Sequence, residues 1–331
     1  MSLYDNACKK EKNKLLKMKI LFVRLDHIGD CFLTLPSIEE YRKNFPHNEI
    51  HVLCKKNTRE IFEKCGLIHK IHTVNFPHTC NKYEKKSSFL EIINTIFNLR
   101  KEKFDKVFNF RPNTKDTFFL KLISRNLLQP AEMLYKDNIH IIVRNKINLS
   151  QAFDYISYRE KNYSKLTVKN TDKIKIPENI KHKILFYTGA TEWKKFDREK
   201  MLLLWELLKK SELEFLAVSG KYDEQTGFED FVIQSIDEWV TICENSRGVI
   251  SFDSGPMHIA AAHAEKIITI FGPTSPEYFG PVSENSEVVE LDKTNKHIPG
   301  MKLTEKHKKC FENVKIEDLV SHIFDFFNKT V

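Results

Sequence analysis

The chain has 331 residues, 41% of them hydrophobic and 30% charged, and a formal net charge of +8; this is an ordinary soluble composition, long enough for two domains of about 150 residues each. No apolar run approaches the roughly 20 residues of a membrane-spanning helix, and the first 19 residues carry six lysines around no apolar segment, which points to a solvated basic tail over 1–17 and a cytoplasmic protein rather than a secretion signal. The seven cysteines have no paired short spacing, so neither a disulfide framework nor a cysteine zinc site is expected, and free thiols in a reducing compartment are.

The positive excess fits either lysines spread over solvated faces or an acidic partner. An anionic membrane surface is the stronger of the acidic partners, because no zinc-finger spacing or aromatic RNA-binding motif accompanies the charge; no nucleic acid is expected.

In chain order, Ile20 to Leu25, Ile50 to Leu53, Ile71 to Val74 and Lys106 to Phe110 read as strands, with helical patterns near 36–45, 58–65, 89–100 and 115–123 between them. This alternation predicts a doubly wound parallel α/β domain over 18–165. After a less regular stretch the rhythm resumes. Strands are predicted at Ile184 to Tyr187, Glu214 to Val218, Val249 to Phe252 and Ile267 to Phe271, and helices near 197–210, 223–235, 241–246 and 257–264. A second domain is therefore expected over 176–331, with the boundary in the polar segment 163–178 and a cleft between the two. Asn313 is a candidate N-cap for a last helix carrying Ile316, Leu319, Val320, Ile323, Phe324 and Phe327 at helical spacing, a face that must pack back on something.

Ligands of open parallel sheets sit at the carboxyl ends of strands, and the unusual loops of this chain fall there. In "FDSGPMHIAAAHA", Phe252 to Ala264, a strand ends in Asp253, Ser254 and Gly255 and Pro256 opens a helix; the amides at such a start form a phosphate site, or else the segment is an ordinary capped helix. In "YTGATEWKKF", Tyr187 to Phe196, Thr188, Gly189 and Thr191 stand beside Lys194 and Lys195, a set able to hold a diphosphate if those lysines are not simply solvated. In "RLDHIGD", Arg24 to Asp30, Gly29 permits a close approach or a positive φ and Asp30 begins a helix, either as a cap or as a general base facing an activated phosphate ester. Neither G-x-G-x-x-G nor G-x-x-x-x-G-K-[ST] is present, which disfavours a nicotinamide dinucleotide and ATP hydrolysis.

With "ILFVRLDHIGDCFLTLPSI", "TGATEWKKF", "SGKYDE" and "SFDSGPMHIAAAHAEKIITIFGPTSPEYFGP" occurring in that order, the chain resembles glycosyltransferase family 9, the ADP-heptose:lipopolysaccharide heptosyltransferases, over roughly residues 18–325. The resemblance implies a GT-B fold and an inverting transfer, without metal or other cofactor, from ADP-heptose to a lipid-linked core oligosaccharide acceptor. The absence of an Asp-x-Asp pair agrees with metal independence. It further implies that Asp30 is the base and that Lys194 meets the diphosphate. Asp253, Ser254 and Gly255 would then form the phosphate loop, Glu224 would hold the ribose, and His258 would support the loop or touch the donor. Gly29, Arg111 of "NFRPNTKD" and Lys85 of "CNKYEKKSS" are candidates on the acceptor side, although Lys85 with Lys82 and Lys86 reads first as a solvated loop. The competing readings are a GT-B transferase with another nucleotide sugar and a non-catalytic nucleotide-sugar-binding homologue.

Overall fold

The computed structural model describes residues 17–329 apart from 81–83, 112, 131–138, 169–173, 175, 295 and 298–302. The basic tail up to residue 16 and Lys82 therefore lie outside the described residues. Contacts divide the chain into two compact units, the first closing at Ser164 and the second running from Lys165, with His140 grouped with the second.

The first unit is built on strands β1 (Lys19–Arg24), β2 (Glu49–Cys54), β3 (Lys70–Thr73), β4 (Lys106–Asn109) and β5 (Leu127–Leu128), all parallel in the order β3-β2-β1-β4-β5. The central β1 is apolar at every position from Ile20 to Val23 because both of its faces are covered. Phe22 meets Tyr41 of the helix Leu35–Asn44 and Phe153 of the helix Ile141–Phe153. On the opposite face Leu21 and Val23 share a core with Ile92 and Leu99 of the helix Phe89–Lys101 and Leu120 of the helix Thr114–Ile123. The helix Ile141–Phe153 falls in the stretch whose pattern reads as irregular, and Arg144, Asn145 and Lys146, buried within it, are what breaks the apolar periodicity.

One buried ion pair fixes the loop that follows β3. Lys55, wholly buried at the end of β2, donates to both carboxylate oxygens of Glu84 at 2.8 and 2.9 Å and to the Thr79 carbonyl, and Asn57 donates to the same carboxylate.

The second unit holds β6 (Lys183–Tyr187), β7 (Glu214–Gly220), β8 (Phe231–Ile233), β9 (Gly248–Phe252), β10 (Ile267–Phe271) and β11 (Ser286–Glu290), parallel in the order β11-β10-β9-β6-β7-β8. The helix predicted at 223–235 is not there. Asp223 and Glu229 turn their carboxylates onto the backbone N–H groups of Gly220, Thr226 and Gly227, and Gly227 adopts a left-handed φ of 91°, so the segment is a loop leading into β8. The helix comes later, Ile236–Asn245, capped by Ser235. The last helix, Ile316–Asn328, starts from Lys315 and not from Asn313. Its apolar face packs within its own unit against Leu204, Trp205 and Leu208 of the helix Arg198–Leu208.

No helix among the described residues is long and apolar enough to cross a membrane, and the six described cysteines are free thiols. Removing the partner of the buried Lys55 leaves an uncompensated charge. Glu84→Ala should therefore cost about 3–5 kcal/mol in the urea unfolding of the first unit, whereas Glu63→Ala at the exposed Arg59 pair should cost less than about 1 kcal/mol.

Candidate active site

In the second unit the loops after β6, β9 and β10 meet at one carboxylate. Asp253, 3% exposed at the end of β9, accepts the Lys194 ammonium at 2.6 Å and the Thr274 hydroxyl at 2.6 Å through the same oxygen. Lys194 thereby stands at the start of the helix Gly255–His263, with its ammonium also lying over the rings of Trp193 and Phe279. Ser254 caps that helix by accepting from the Met257 N–H, and Pro256 occupies its first turn. An ammonium beside a helix start joins a full charge to the roughly half charge of the dipole, an arrangement suited to an anionic ligand. Asp253 serves in this arrangement as an anchor for the lysine, because its own carboxylate would repel an anion.

Trp239 pins the helix start from behind. Its indole N–H donates to the Pro256 carbonyl at 3.0 Å and its ring packs on Tyr187, whose hydroxyl donates to Asp223 at 2.5 Å. Asp223 also accepts the Gly220 N–H. Gly189 is obligatory beside this pair, since a Cβ there would stand 2.0 Å from the Asp223 carboxylate.

The remaining donor-side candidates separate. Thr188 is wholly buried with its hydroxyl engaged by Glu229 and the Val218 carbonyl, so it braces the loop and has no free hydroxyl to offer a diphosphate. Thr191 is exposed on the same loop. Glu224 and Lys195 line a cavity of about 620 Å³ together with Trp193, Arg198, Gln225 and Phe311, a volume within the range of small-ligand sites. His258 is 3% exposed, and burial holds its imidazole neutral by pushing it down to about 3, against the pull of Asp253. Thr274, Asp223 and Trp239 were not singled out by sequence reasoning; the first two lie inside the quoted motifs, whereas Trp239 sits in a helix with nothing to distinguish it.

In the first unit, "RLDHIGD" is a charge relay of a static kind. Arg24, at the end of β1, places its guanidinium 3.0 Å from Asp26 and 3.0 Å from Asp30, and Arg111, in the loop after β4, forms a second ion pair with Asp26. Asp26 is buried between two guanidiniums, and the Asp30 side chain is 36% exposed. Asp30 is not a helix cap: the short helix Ile28–Phe32 is preceded by His27, and Asp30 lies within its first turn. Gly29 is helical and buried, without the positive φ that the sequence permits. The short helix breaks at Leu33, and a second begins with Pro36 in the first turn of Leu35–Asn44. Arg111 is drawn to Asp26, whose charge holds the guanidinium more firmly protonated. Lys85 is exposed, with its carbonyl fixed by Asn75.

Two parallel α/β sheets in succession, each with polar residues gathered after the carboxyl ends of its strands, are the arrangement of a GT-B fold. Residues 234–310 match the model of glycosyltransferase family 9 (heptosyltransferase). The chain is 23% identical to lipopolysaccharide heptosyltransferase 1 of Campylobacter coli over 94% of its own length and 99% of that protein. Its fold is similar to that of E. coli ADP-heptose LPS heptosyltransferase II, with a TM-score of 0.68 at 15% identity over 94% of this chain and 98% of the other. It is similar also to E. coli heptosyltransferase WaaC, solved with ADP, with a TM-score of 0.66 at 15% identity over 93% and 100%. The chain is thus similar to family 9 heptosyltransferases, most specifically over residues 234–310.

His258 gives the second unit a pH dependence. The folded imidazole stays neutral down to about pH 3, whereas in the unfolded chain it protonates near pH 6.5. Between those values the unfolded state binds more protons, so stability falls as the pH drops below 6.5, by up to about 1.4 kcal/mol per pH unit from this group. Urea midpoints at pH 7 and pH 5 should differ less in His258→Gln than in the unmodified chain.

Proposed function

We propose that the chain transfers heptose from ADP-heptose to an inner-core sugar of a lipid-linked lipopolysaccharide precursor, by inverting displacement without a metal ion, in the cytoplasm. The observation that carries this reading is the Lys194 ammonium held by Asp253 at the start of the helix Gly255–His263. Support comes from the relatives, one a lipopolysaccharide heptosyltransferase and one solved with ADP. In the reaction an acceptor hydroxyl oxygen forms a bond to the anomeric carbon as the bond from that carbon to the ADP phosphate oxygen breaks. The electron pair leaves with ADP, and Lys194 with the helix start stabilises the negative charge that grows there. Lys195 and Glu224 serve the nucleotide from the neighbouring cavity. Asp30, oriented by Arg24, takes the proton of the acceptor hydroxyl. Positive charge from lysine and amide dipoles fills the role that a cation bound to an Asp-x-Asp pair has in other transferases.

ADP, ADP-heptose, UDP and GDP should be compared as stabilisers of the purified chain, with and without EDTA. A ligand that binds only the folded state adds about 2.7 kcal/mol at a hundredfold excess over its Kd. The expected result is an ADP-selective, EDTA-insensitive shift that Lys194→Ala abolishes and Asp30→Ala retains, with Asp30→Ala losing about 10²–10⁴ in turnover. A preference for UDP or GDP would move the donor to another nucleotide sugar, and no turnover in the unmodified chain would identify a binding homologue.

A peripheral contact with an anionic membrane completes the proposal. The basic tail motivates it, and the exposed Phe89, Leu90 and Phe118 on two helices that also carry or adjoin Lys85, Lys86, Lys115 and Lys121 support it. Sedimentation with vesicles containing anionic lipid should weaken when residues 1–17 are deleted; unchanged sedimentation of the truncated chain would refute the tail's part.

A further inference from the structure

At the amino end of the first sheet, three side chains from three segments converge away from the loops just described. His51 is the third residue of β2 and His72 the third of β3; because His51 pairs with Lys70, the two histidines are diagonal neighbours on one face. Their rings stack at 5.2 Å, with His51 Nδ1 3.0 Å from His72 Nε2, and Phe104 packs its edge against both. Glu102, directly after the helix Phe89–Lys101, brings a carboxylate oxygen to within 4.8 Å of one ring nitrogen of each histidine. Among the described residues this is the group of His, Cys, Asp and Glu side chains with the spacing of a cation site.

We infer that His51, His72 and Glu102 bind one divalent transition-metal ion of the Zn²⁺ type, which ties β2 and β3 to the end of the helix Phe89–Lys101. A tetrahedral Zn²⁺ about 2.1 Å from each donor needs donors about 3.4 Å apart, a spacing that the histidine pair nearly has and that Glu102 reaches by a side-chain rotation. The ligand chemistry is suitable. Glu49 accepts from His51 Nε2 at 2.8 Å, which places the proton there and leaves the Nδ1 lone pair facing His72; this is the carboxylate–histidine relation found behind metal ligands. In the ion-free protein His72 Nε2–H donates to that lone pair, and a tautomer shift of this proton to His72 Nδ1 frees Nε2 for the ion. Burial keeps both imidazoles neutral, with His72 pushed down to about 4 and His51 also lowered. Glu102 is at present shared by Lys19, at 3.0 Å, and Lys70. Lys70 is the exposed one of the two, and it turns out to solvent as the cation takes its place. The ion is a structural clamp. Asp30 and Arg111 lie after the opposite, carboxyl ends of the strands, so the inference stands apart from the proposed transfer and its metal independence.

The test uses the full chain without a histidine tag, stripped with EDTA and titrated with Zn²⁺ by calorimetry and thermal melting. One Zn²⁺ per chain and a raised Tm are expected, with affinity at least tenfold weaker in His72→Ala and in Glu102→Gln, and about 10–100-fold weaker in Glu49→Gln. The near-isosteric Glu102→Gln, with an unchanged circular dichroism spectrum, guards against misfolding of the histidine variant. No binding to the unmodified chain, or equal binding to correctly folded variants, as thiol binding would give, would overturn the inference. Loss of Zn²⁺ binding with ADP binding intact would leave the proposed function untouched.

Discussion

The ion pair between Asp253 and Lys194 is the constraint on which the edge of the second sheet depends. A carboxylate that is 3% exposed is costly to bury unless cations and hydroxyls surround it. Asp253 meets that need by gathering a lysine from the loop after β6 and a threonine from the loop after β10. Three loops that are far apart in sequence are thereby held to one charge. The lysine is fixed as a consequence, and a flexible four-carbon side chain becomes a positioned cation beside a helix start.

The first unit solves a similar problem with a different group. Asp26 is buried and must be neutralised, and Arg24 does so while also meeting Asp30. The planar guanidinium fork can address two carboxylates at once, which a single ammonium on a flexible stem would do less well. Arg111 adds a second cation from the loop after β4. The half-exposed carboxylate of Asp30 thus inherits its orientation from a fully buried neighbour, and the stretch "RLDHIGD" reads as one unit of charge arrangement in which the glycine is only the close-packed helical residue between the acids.

Much of the fold was legible because buried parallel strands are continuous apolar runs: β1, β2, β4, β6, β9 and β10 announce themselves in this way. The strands that escaped are at or near the sheet edges. β5 has two residues, β8 three, and β11, with the sequence SEVVE, is only half-buried, so none has a run long enough to be seen. Between Gly220 and Phe231, polar side chains captured backbone amides and overrode a pattern that looked helical. The loops after β6 and β9 were visible as motifs, yet their internal division of labour was not. Thr188 and Thr191 have the same chemistry and nearly adjacent positions; burial alone makes one a brace and leaves the other exposed. The histidine pair of the first sheet was invisible for a related reason, since His51 and His72 come together only through the pairing of β2 with β3.

The aromatic distribution has a spectroscopic consequence. All three tryptophans of the chain, Trp193, Trp205 and Trp239, belong to the second unit. Trp239 is buried against the helix start, Trp205 lies in the core, and Trp193 stands beside Lys194 on the half-exposed loop. Selectively excited indole emission is therefore a local signal. It follows the loops around Lys194 and the helix start with their core directly, while the first unit, which has tyrosine and phenylalanine only, is dark in that channel. The chain carries its own label for telling the melting of one half from the melting of the other.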